Sequence, residues 1–289
     1  MEASMMLRDY LKDNETYIVP GVFDCIGGRL AHFCGFKIIS VTGNGLSASF
    51  LGMPDMGFLN MTEAALCSKR IAAATPLPVI ADADNGYGGV LNIVRTVKEF
   101  MGAGVAGIHI EDQPSPKKCA YYPGDKRIIP LEESVQRLKA AVHAKGENPF
   151  CIIARTDAMR SDGLKEAVLR TNAYAEAGVD AVFVVGFSSR EEICELRAQT
   201  GIPLFININD GRELSQFGPD DFREMGVKCV LYPATLRNAF FRAARDALQN
   251  LHDKGHTRNI LHSFAGLEEF GSVFGTEEYQ NIENTFRST

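Results

Sequence analysis

Short apolar runs alternate along the chain with longer amphipathic segments. The runs are almost continuously apolar, which is typical of strands buried on both faces of a parallel sheet. They predict strands at Tyr17–Pro20, Lys37–Thr42, Leu77–Ala81, Ala106–Ile110, Phe150–Arg155, Ala181–Val185, Leu204–Asn207 and Cys229–Tyr232. The amphipathic segments space their apolar residues with a helical period. They predict helices that include Met61–Ala74, Val90–Met101, Leu131–Ala144, Gly163–Ala177 and Arg190–Gln199.

The joints between predicted helices and strands carry glycine or proline. Gly35, Gly104, Gly178 and Gly226 each stand where a helix should end in a left-handed residue before the next strand. The strand–helix alternation predicts an α/β fold of the (β/α)8 TIM-barrel type. The alternative is an open, doubly wound sheet, but no Gly-x-Gly-x-x-Gly motif follows the first strand to favour a dinucleotide-binding fold.

The chain length fits one barrel. Of 289 residues, 45% are hydrophobic, which is ample for a single large core. We therefore predict one barrel domain over residues 1–289, with a C-terminal helical extension over about residues 255–289. Apolar and aromatic residues continue through this extension, so it either folds back as extra helices or packs on a neighbouring subunit.

Composition narrows the class of protein further. The formal net charge of −6 and the pI near 5.6 argue against nucleic acid or an anionic membrane as a partner. The N-terminal residues lack the apolar segment of a signal peptide, and no stretch approaches the roughly 20 apolar residues that span a bilayer. Seven cysteines without Cys-x-x-Cys spacing are typical of reduced thiols. These features predict a cytoplasmic enzyme with a small-molecule substrate.

Carboxylates stand at the ends of successive predicted strands. Asp82 and Asp84 end the third run, Glu111 and Asp112 end the fourth, and Asp55 lies in a candidate loop. Residues two apart in a strand point the same way, so Asp82 and Asp84 leave the same face. Like charges this close repel unless a cation lies between them, and hard divalent cations take oxygen ligands. The pattern favours a metal site; the alternative is that one Asp caps the next helix.

Two further features suit an anionic ligand. The segment Thr42-Gly-Asn-Gly-Leu-Ser47 offers backbone N–H groups to a carboxylate or phosphate oxygen, with a plain tight turn as the alternative. Arg155 ends the fifth apolar run, where its guanidinium suits bidentate carboxylate binding. The competing interpretation of Arg155 is a structural ion pair with a neighbouring acid.

A long, basic, proline-punctuated loop, Gln113–Arg127, follows the fourth strand. Loops of this length at the active face of a barrel are usually functional. Lys117 and Lys118 stand beside Cys119, which favours its thiolate. Cys119 is therefore a candidate for proton transfer or nucleophilic attack, with an inert thiol as the alternative. His109, inside the fourth run, is either a buried, hydrogen-bonded histidine or a supporting group for the site.

Taken together, these motifs resemble the isocitrate lyase/phosphoenolpyruvate mutase superfamily. The resemblance is strongest to 2-methylisocitrate lyase, 2,3-dimethylmalate lyase, oxaloacetate hydrolase and carboxyphosphonoenolpyruvate mutase. It covers about residues 17–250. The matching motifs, in family order, are Thr42-Gly-Asn-Gly45, Leu51-Gly-Met-Pro-Asp55, Ala81-Asp-Ala-Asp-Asn-Gly-Tyr-Gly88, His109-Ile-Glu-Asp-Gln113, Pro116-Lys-Lys-Cys119, Ala154-Arg-Thr-Asp-Ala158 and Leu231-Tyr-Pro233.

The resemblance implies a barrel whose last helix is exchanged between subunits, giving a homodimer or homotetramer. It implies Mg²⁺ as the cofactor, with Mn²⁺ as a possible substitute. The implied metal ligands are Asp84, directly or through water, with Asp82, Asp55 and Glu111. The implied substrate is a 2-oxo or 2-hydroxy acid. The residues implied to bind it are Thr42, Gly43, Asn44, Arg155, Asn207 and Thr235.

Two positions depart from the lyase pattern. Lyases of the family usually carry Gly-His after the loop cysteine, where this chain has Ala120-Tyr121. They also usually have a glutamate at the end of strand six, where this chain has Val185. The mutase and phosphonopyruvate hydrolase branches lack that glutamate and the cysteine, and they read Glu-Asp-Lys where this chain has Glu111-Asp112-Gln113. The loop is therefore lyase-like, and the substrate stays open.

The resemblance implies cleavage of a C–C bond beside a carboxylate. A bound Mg²⁺ would stabilise the enolate-type carbanion, Cys119 would protonate it, and Lys118 would help to set the thiol pKa. Tyr87 or a metal-linked group would accept the hydroxyl proton of the substrate. The alternatives are a phosphonomutase that forms a P–C bond, an oxaloacetate hydrolase or decarboxylase, and a non-catalytic binding barrel.

Overall fold

The computed structural model describes residues 1–119, 122 and 127–287. Its strands form a closed parallel barrel in which each strand pairs with the next along the chain, and the last pairs with the first. The strands are β1 (Tyr17–Val22), β2 (Ile39–Val41), β3 (Val79–Asp82), β4 (Gly107–Glu111), β5 (Cys151–Thr156), β6 (Ala181–Val184), β7 (Leu204–Asn207) and β8 (Val227–Tyr232). The predicted TIM-type barrel is confirmed, and each strand lies within two residues of its predicted bounds.

Helices alternate with the strands around the outside of the barrel. They are α1 (Glu2–Lys12), α2 (Cys25–Phe33), α3 (Gly43–Leu46), α4 (Met61–Ala74), α5 (Val90–Gly102), α6 (Leu131–Lys145), α7 (Ala158–Ser161), α8 (Leu164–Glu176), α9 (Arg190–Arg197), α10 (Pro219–Glu224), α11 (Thr235–Lys254), α12 (Leu267–Phe274) and α13 (Thr276–Arg287). Gly35, Gly104, Gly178 and Gly226 have φ values of +85°, +79°, +88° and +74°. The predicted left-handed helix ends are therefore confirmed.

Helix α1 closes the amino-terminal end of the barrel. Leu7 and Leu11 of α1 are buried and pack against residues that fill the barrel interior, such as Ile153 and Phe205. A separate, larger apolar cluster lies between the strands and the outer helices. Both faces of the strands are therefore buried, which explains why the strands are continuously apolar in sequence.

The strand register places side chains for the site. Glu111 at the end of β4 lies opposite Arg155 of β5, and Asp82 at the end of β3 lies opposite His109 of β4. Parallel strands present their carboxyl ends at the same mouth of the barrel, so residues from distant parts of the sequence meet there.

Helices α11, α12 and α13 follow β8, which confirms the predicted C-terminal helices. None of the residues in these three helices is buried, and α12 contacts α2 and α13. The predicted exchange of the last barrel helix involves a second subunit and stays a prediction, as does the assignment of residues 1–289 to one domain. Within the described chain, no helix is both long enough and apolar enough to cross a membrane.

Candidate active site

A cavity of about 870 Å³ opens at the carboxyl ends of the strands. It is where a (β/α)8 barrel normally carries its chemistry. Most of the residues predicted from the sequence line it, namely Thr42, Gly43, Asn44, Asp55, Asp82, Glu111, Lys118, Cys119, Arg155 and Asn207. Asp84 lies directly behind this lining, within 2.6 Å of the Lys117 ammonium, which is part of it. The structure therefore brings one acid cluster, one guanidinium and one thiol to the same cavity.

Lys117 joins two of the predicted metal ligands. Its ammonium Nζ lies 2.8 Å from Asp55 Oδ1 and 2.6 Å from Asp84 Oδ1. Lys117 is only 5% exposed and Asp84 only 3%. The surrounding acids outweigh burial and raise the pKa of Lys117 well above its usual value. The ammonium therefore stays charged among the carboxylates.

Asp82 is fixed by backbone donors. Its Oδ2 accepts a hydrogen bond from Gly43 N at 3.2 Å, and its Oδ1 accepts one from Asp84 N at 3.0 Å. A Cβ at Gly43 would lie 2.9 Å from Asp82 Oδ2, so a side chain at position 43 would push this carboxylate away. The glycine of the Thr42 segment is therefore needed for the close approach of strand end β2 to the acid cluster.

The turn after β3 holds an unusual backbone. Asp84 and Tyr87 have φ values of +48° and +59°, in the left-handed region that non-glycine residues seldom adopt. The backbone of Asp84 is held there because Glu111 N donates to Asp84 O at 2.8 Å. Residues kept in such conformations cluster at functional sites. The turn directs the Asp84 carboxylate towards Lys117.

The acids of the cluster differ in proton affinity. Burial, with repulsion from Asp82 and Asp55, raises the pKa of Asp84 to about 7, although Lys117 opposes this. Burial alone would raise the pKa of Asp82 too, but His109, Lys117 and Arg155 outweigh it and hold that pKa below its usual range. In the absence of a further cation, Asp84 therefore ionises less readily than Asp82.

Glu111 adds a further buried acid. It is 3% exposed, and neither of its carboxylate oxygens accepts a hydrogen bond from a described residue. Arg155 Nη1 lies 3.1 Å from Oε2. Burial raises the pKa of Glu111 well above its usual value, in spite of Arg155 and Lys117. Buried carboxylate oxygens without hydrogen-bond donors are costly, and they are suitable ligands for a cation or its bound water.

The carboxylate oxygens of the acid cluster are chemically suitable ligands for a magnesium ion. Among the described residues, no group of three or more acid, histidine or cysteine side chains is arranged to hold a metal by itself. Mg²⁺ does not require one, because it usually keeps several waters and binds through one or two carboxylates and the substrate. The under-coordinated oxygens of Glu111 and the raised pKa of Asp84 support such a site.

The surroundings of Arg155 fit both interpretations made from the sequence, namely carboxylate binding and a structural ion pair. Its Nη1 pairs with Glu111, its Nη2 lies 3.3 Å from Asp157 Oδ2, and its guanidinium carbon lies 5.7 Å from the centre of the Phe183 ring. The side chain is also part of the cavity lining. The acids hold the guanidinium in place, and its exposure to the cavity leaves it able to meet a substrate carboxylate.

Cys119 is tied to the acid cluster through the main chain. Cys119 N donates to Asp55 O at 3.1 Å, and Asn44 Nδ2 lies 3.5 Å from the Cys119 sulfur. Arg237 of α11 donates to Asn44 Oδ1 and also lines the cavity. The thiol therefore faces the same space as the acids. The departure at Ala120-Tyr121 lies outside the described residues.

Two predicted site residues stand apart from the cavity. The Tyr87 hydroxyl is buried outside the lining, and burial, together with the charges of Asp84 and Asp82, raises its pKa well above the usual value. The phenol therefore keeps its proton more firmly than usual, and acceptance of a substrate proton by Tyr87 stays a prediction. Thr235 is exposed at the start of α11, and its hydroxyl donates to Asp210, which does line the cavity. Its role as a substrate ligand stays a prediction.

Lys117, Arg237 and Phe183 contribute to the site but were not among the predicted site residues. Lys117, and not Lys118, is the buried lysine of the loop, and the neighbouring acids were the available signal. Arg237 comes from a helix after the last strand, and its approach to the cavity had no signal in the sequence. Phe183 on β6 and Val185 just after this strand line the cavity, so the position where lyases usually have glutamate is an apolar part of the wall.

The fold and site together define a class of enzyme: a TIM-type barrel with acids, an arginine and a thiol at its catalytic mouth. The family model described as phosphoenolpyruvate phosphomutase matches residues 7–252. The chain belongs to this phosphoenolpyruvate mutase/isocitrate lyase superfamily and is an enzyme of it.

Several curated relatives match nearly the whole chain. The petal death protein of Dianthus caryophyllus is 36% identical over 96% of this chain and 87% of its own. The chloroplastic carboxyvinyl-carboxyphosphonate phosphorylmutase of Arabidopsis thaliana is 36% identical over 96% and 85%. The 2-methylisocitrate lyase of Shewanella oneidensis is 32% identical over 96% and 95%. The relatives therefore include a C–C lyase and a phosphorylmutase by name, two of the reaction types predicted from the sequence.

Solved structures extend the comparison to ligands. Oxaloacetate acetylhydrolase in complex with 3,3-difluorooxalacetate is 31% identical, with a TM-score of 0.91 over 99% of this chain and 98% of its own. Phosphonopyruvate hydrolase in complex with oxalate and Mg²⁺ is 26% identical, with a TM-score of 0.88 over the full length of both chains. Small carboxylic acids and a divalent metal are thus bound within this superfamily.

Proposed function

We propose that this enzyme cleaves a C–C bond in a 2-hydroxy or 2-oxo di- or tricarboxylic acid in a Mg²⁺-dependent reaction, in the manner of 2-methylisocitrate lyase. The observation that carries the proposal is the position of Cys119. Its sulfur faces the same cavity as the acid cluster and Arg155, and its backbone is bonded to Asp55. A proton donor and a site for a stabilised carbanion are therefore next to each other.

The substrate is held by its carboxylate. Arg155 offers its guanidinium to the cavity, and Asn207 at the end of β7 lines the same space. Thr42, Gly43 and Asn44 complete this side of the pocket. In the described arrangement Gly43 N donates to Asp82, so the polar hydrogens of Asn44 and Arg155 are the principal groups for the incoming anion.

The residues that would hold Mg²⁺ are Asp84, Asp82, Asp55 and Glu111. When bound, the ion supplies Lewis-acid stabilisation of the oxygen that gains negative charge. Mn²⁺ takes the same oxygen ligands and is the second metal to test. The complex of phosphonopyruvate hydrolase with oxalate and Mg²⁺ supports this assignment.

Two protons move in the cleavage of a 2-hydroxy acid. The hydroxyl proton passes to a carboxylate of the acid cluster, the alternative acceptor to Tyr87, as the C–O bond becomes a carbonyl, and the electrons of the broken C–C bond remain on the departing carbon. The Cys119 thiol gives its proton to that carbon, and solvent later returns a proton to the sulfur. Lys118 is exposed on the cavity wall and precedes Cys119 directly in the chain, so we assign it a supporting role in this step.

The direct test is a substrate panel followed by NMR. The panel contains 2-methylisocitrate, 2,3-dimethylmalate, oxaloacetate and phosphonopyruvate, each with Mg²⁺, with Mn²⁺ and with excess EDTA. We expect two product acids from at least one hydroxy acid, with turnover lost in EDTA. Turnover that persists in EDTA, or an absence of any reaction across the panel, would contradict the proposal.

A second candidate is hydrolysis of oxaloacetate or a phosphonomutase reaction. It is favoured by the apolar Val185 in the cavity wall and by the names of the relatives, which include a phosphorylmutase and an acetylhydrolase. In the same panel, oxalate and acetate from oxaloacetate, or phosphoenolpyruvate from phosphonopyruvate, would identify it.

The enzyme is proposed to assemble as a homodimer or homotetramer. Large apolar side chains of the last three helices are exposed, including Phe241, Leu248, Leu267 and Phe286. A surface of this kind is typical of an interface between subunits. Sedimentation velocity should give a dimer or tetramer at micromolar concentration, and a monomer throughout that range would contradict the assembly.

A further inference from the structure

The side-chain amide of Gln113 connects two parts of the site. Its Oε1 accepts a hydrogen bond from Lys118 N at 3.1 Å, and its Nε2 donates one to Asp157 Oδ2 at 2.7 Å. Gln113 is buried, at 9% exposure, and follows directly after Glu111-Asp112 at the end of β4. The single Gln113 amide therefore bonds both to Lys118, the residue before Cys119, and to the carboxylate of Asp157.

Asp157 carries the connection to the anion-binding arginine. The same Oδ2 that accepts from Gln113 lies 3.3 Å from Arg155 Nη2. Asp157 is itself held from behind, because its backbone N donates to Asp112 Oδ1 at 3.1 Å. Asp112 also accepts from Arg170 Nη1 at 3.1 Å. The arginine, the aspartate, the glutamine and the segment that carries Cys119 form one continuous chain of contacts anchored in the barrel wall.

An amide is the side chain that suits this place. It donates at one end and accepts at the other, whereas a carboxylate only accepts and an ammonium only donates. A glutamate at position 113 would keep the bond from Lys118 N but would face Asp157 with a like charge. A lysine would keep Asp157 but could not accept from Lys118 N. The two substitutions therefore break opposite ends of the connection.

We propose that Gln113 is a positioning residue that sets the place of Cys119 relative to the carboxylate held by Arg155. The inference rests on the proposed function, since it assigns Arg155 to the substrate carboxylate and Cys119 to proton transfer. It adds a residue outside the predicted catalytic, metal and substrate sets. A ligand that moves Arg155 would act on Asp157, and Asp157 would act on the loop segment through the Gln113 amide.

The two ends can be measured separately. The affinity for oxalate in the presence of Mg²⁺, from calorimetry, reports the Arg155 end. The rate at which iodoacetamide alkylates Cys119, followed by peptide mass spectrometry, reports the loop end and needs no turnover. The rate constant kcat on the best substrate of the panel reports both. Melting temperatures exclude variants that fail to fold.

Gln113→Lys should leave the oxalate affinity within about threefold of the wild type. It should speed alkylation of Cys119 and lower kcat by about 10-fold, the scale of one lost hydrogen bond in a partly buried site. Gln113→Glu should instead weaken oxalate binding by about 10- to 100-fold, the scale of a lost hydrogen bond to a charged group, with a smaller change in alkylation.

The rescue experiment uses Asp157→Asn together with Gln113→Glu. In this double variant the asparagine donates to the glutamate and its oxygen still accepts from Arg155, so oxalate affinity should recover by about 10-fold over Gln113→Glu alone. Absence of rescue would overturn the proposal. So would equal losses of oxalate affinity and kcat in both single variants, which is the behaviour of a merely structural residue. If the enzyme turns over none of the panel but oxalate binding and alkylation still split in this way, the proposed function fails and the positioning role stands.

Discussion

The two ends of the barrel bury charge in different ways. At the amino-terminal end, Asp180 accepts from Arg8 Nη2 at 2.7 Å, from Lys145 Nζ at 2.6 Å and from Ile152 N at 2.8 Å. At the carboxyl-terminal end, Glu111 and Asp84 are more deeply buried, and the Glu111 oxygens accept no hydrogen bond from the described residues. Asp180 is surrounded by donors, whereas the Glu111 carboxylate has only the ion pair with Arg155 among the described contacts.

This difference in hydrogen bonding distinguishes carboxylates that stabilise the fold from carboxylates that bind a ligand. A buried carboxylate that serves the fold is stabilised by as many donors as its lone pairs allow, because each unmade bond costs free energy. A carboxylate that serves a metal or substrate must keep lone pairs for them. We therefore expect substitutions around Asp180 to lower stability and spare turnover. Substitutions around Glu111 should lower turnover and leave stability nearly unchanged.

The largest effect is expected from Asp84→Asn. Asparagine keeps the shape of the side chain but loses the charge that a Mg²⁺ ion needs, so Mg²⁺-dependent turnover should fall by at least about 10³-fold. The melting temperature should stay near that of the wild type, because Lys117 keeps its ion pair with Asp55. Calorimetric titration with Mg²⁺ measures the lost affinity directly. A variant that binds Mg²⁺ and turns over normally would remove Asp84 from the metal site.

The matched substitution at the other end is Asp180→Asn. It leaves the buried Lys145 and the partly exposed Arg8 without their carboxylate, so the free energy of unfolding should fall by about 3 kcal/mol. Chemical denaturation measures the loss, and kcat per folded molecule should be unchanged. A large loss of kcat with unaltered stability would show that the two ends do not divide their roles in this way.

A smaller effect is expected in the pH dependence of stability. Burial lowers the pKa of His109 from 6.5 to about 4, with Arg155 and Lys117 acting in the same sense and Asp82 and Asp157 opposing. The folded protein therefore binds fewer protons than the unfolded chain between these values. This contribution to stability is complete above pH 6.5 and is lost as the pH falls towards 4.

His109→Gln removes that titration. The difference in unfolding free energy between the variant and the wild type should change by about 2 kcal/mol between pH 6.5 and pH 4, in favour of the variant at the acidic end. Denaturation curves at four or five pH values measure it. Parallel curves for the two proteins would show that His109 is not held neutral by its surroundings.

The sequence was sufficient for the barrel and for most of the cavity wall. Apolar runs with glycine at the joints predict a parallel barrel because both faces of each strand are buried, and strand ends in a barrel converge at one mouth. Asp82, Glu111 and Arg155 could be placed on that basis. Helix α1 was missed, since Leu7 and Leu11 close the barrel within a short segment of mixed apolar and charged residues.

Contacts between distant loops could not be read from the sequence. Lys117 and Lys118 are adjacent lysines that the sequence pattern does not distinguish. In the fold, Lys117 is buried among the acids and Lys118 is exposed at the rim of the cavity. Gln113 carries no chemical signal of its own, because its importance comes from the two partners that its amide bridges. Helical or strand periodicity specifies which face is buried, but not which polar atoms meet there.

The central claim is that a thiol at the functional end of the barrel protonates the carbanion left by C–C cleavage. The measurement is kcat of Cys119→Ser on the best substrate, with Cys67→Ser, a half-buried cysteine of α4, as the matched control. We predict a fall of about 10²- to 10⁴-fold, typical of a lost general acid, with Mg²⁺ affinity unchanged and the control unaffected. Near-normal kcat in Cys119→Ser would contradict the thiol-acid lyase mechanism and make the mutase or hydrolase reaction the leading assignment.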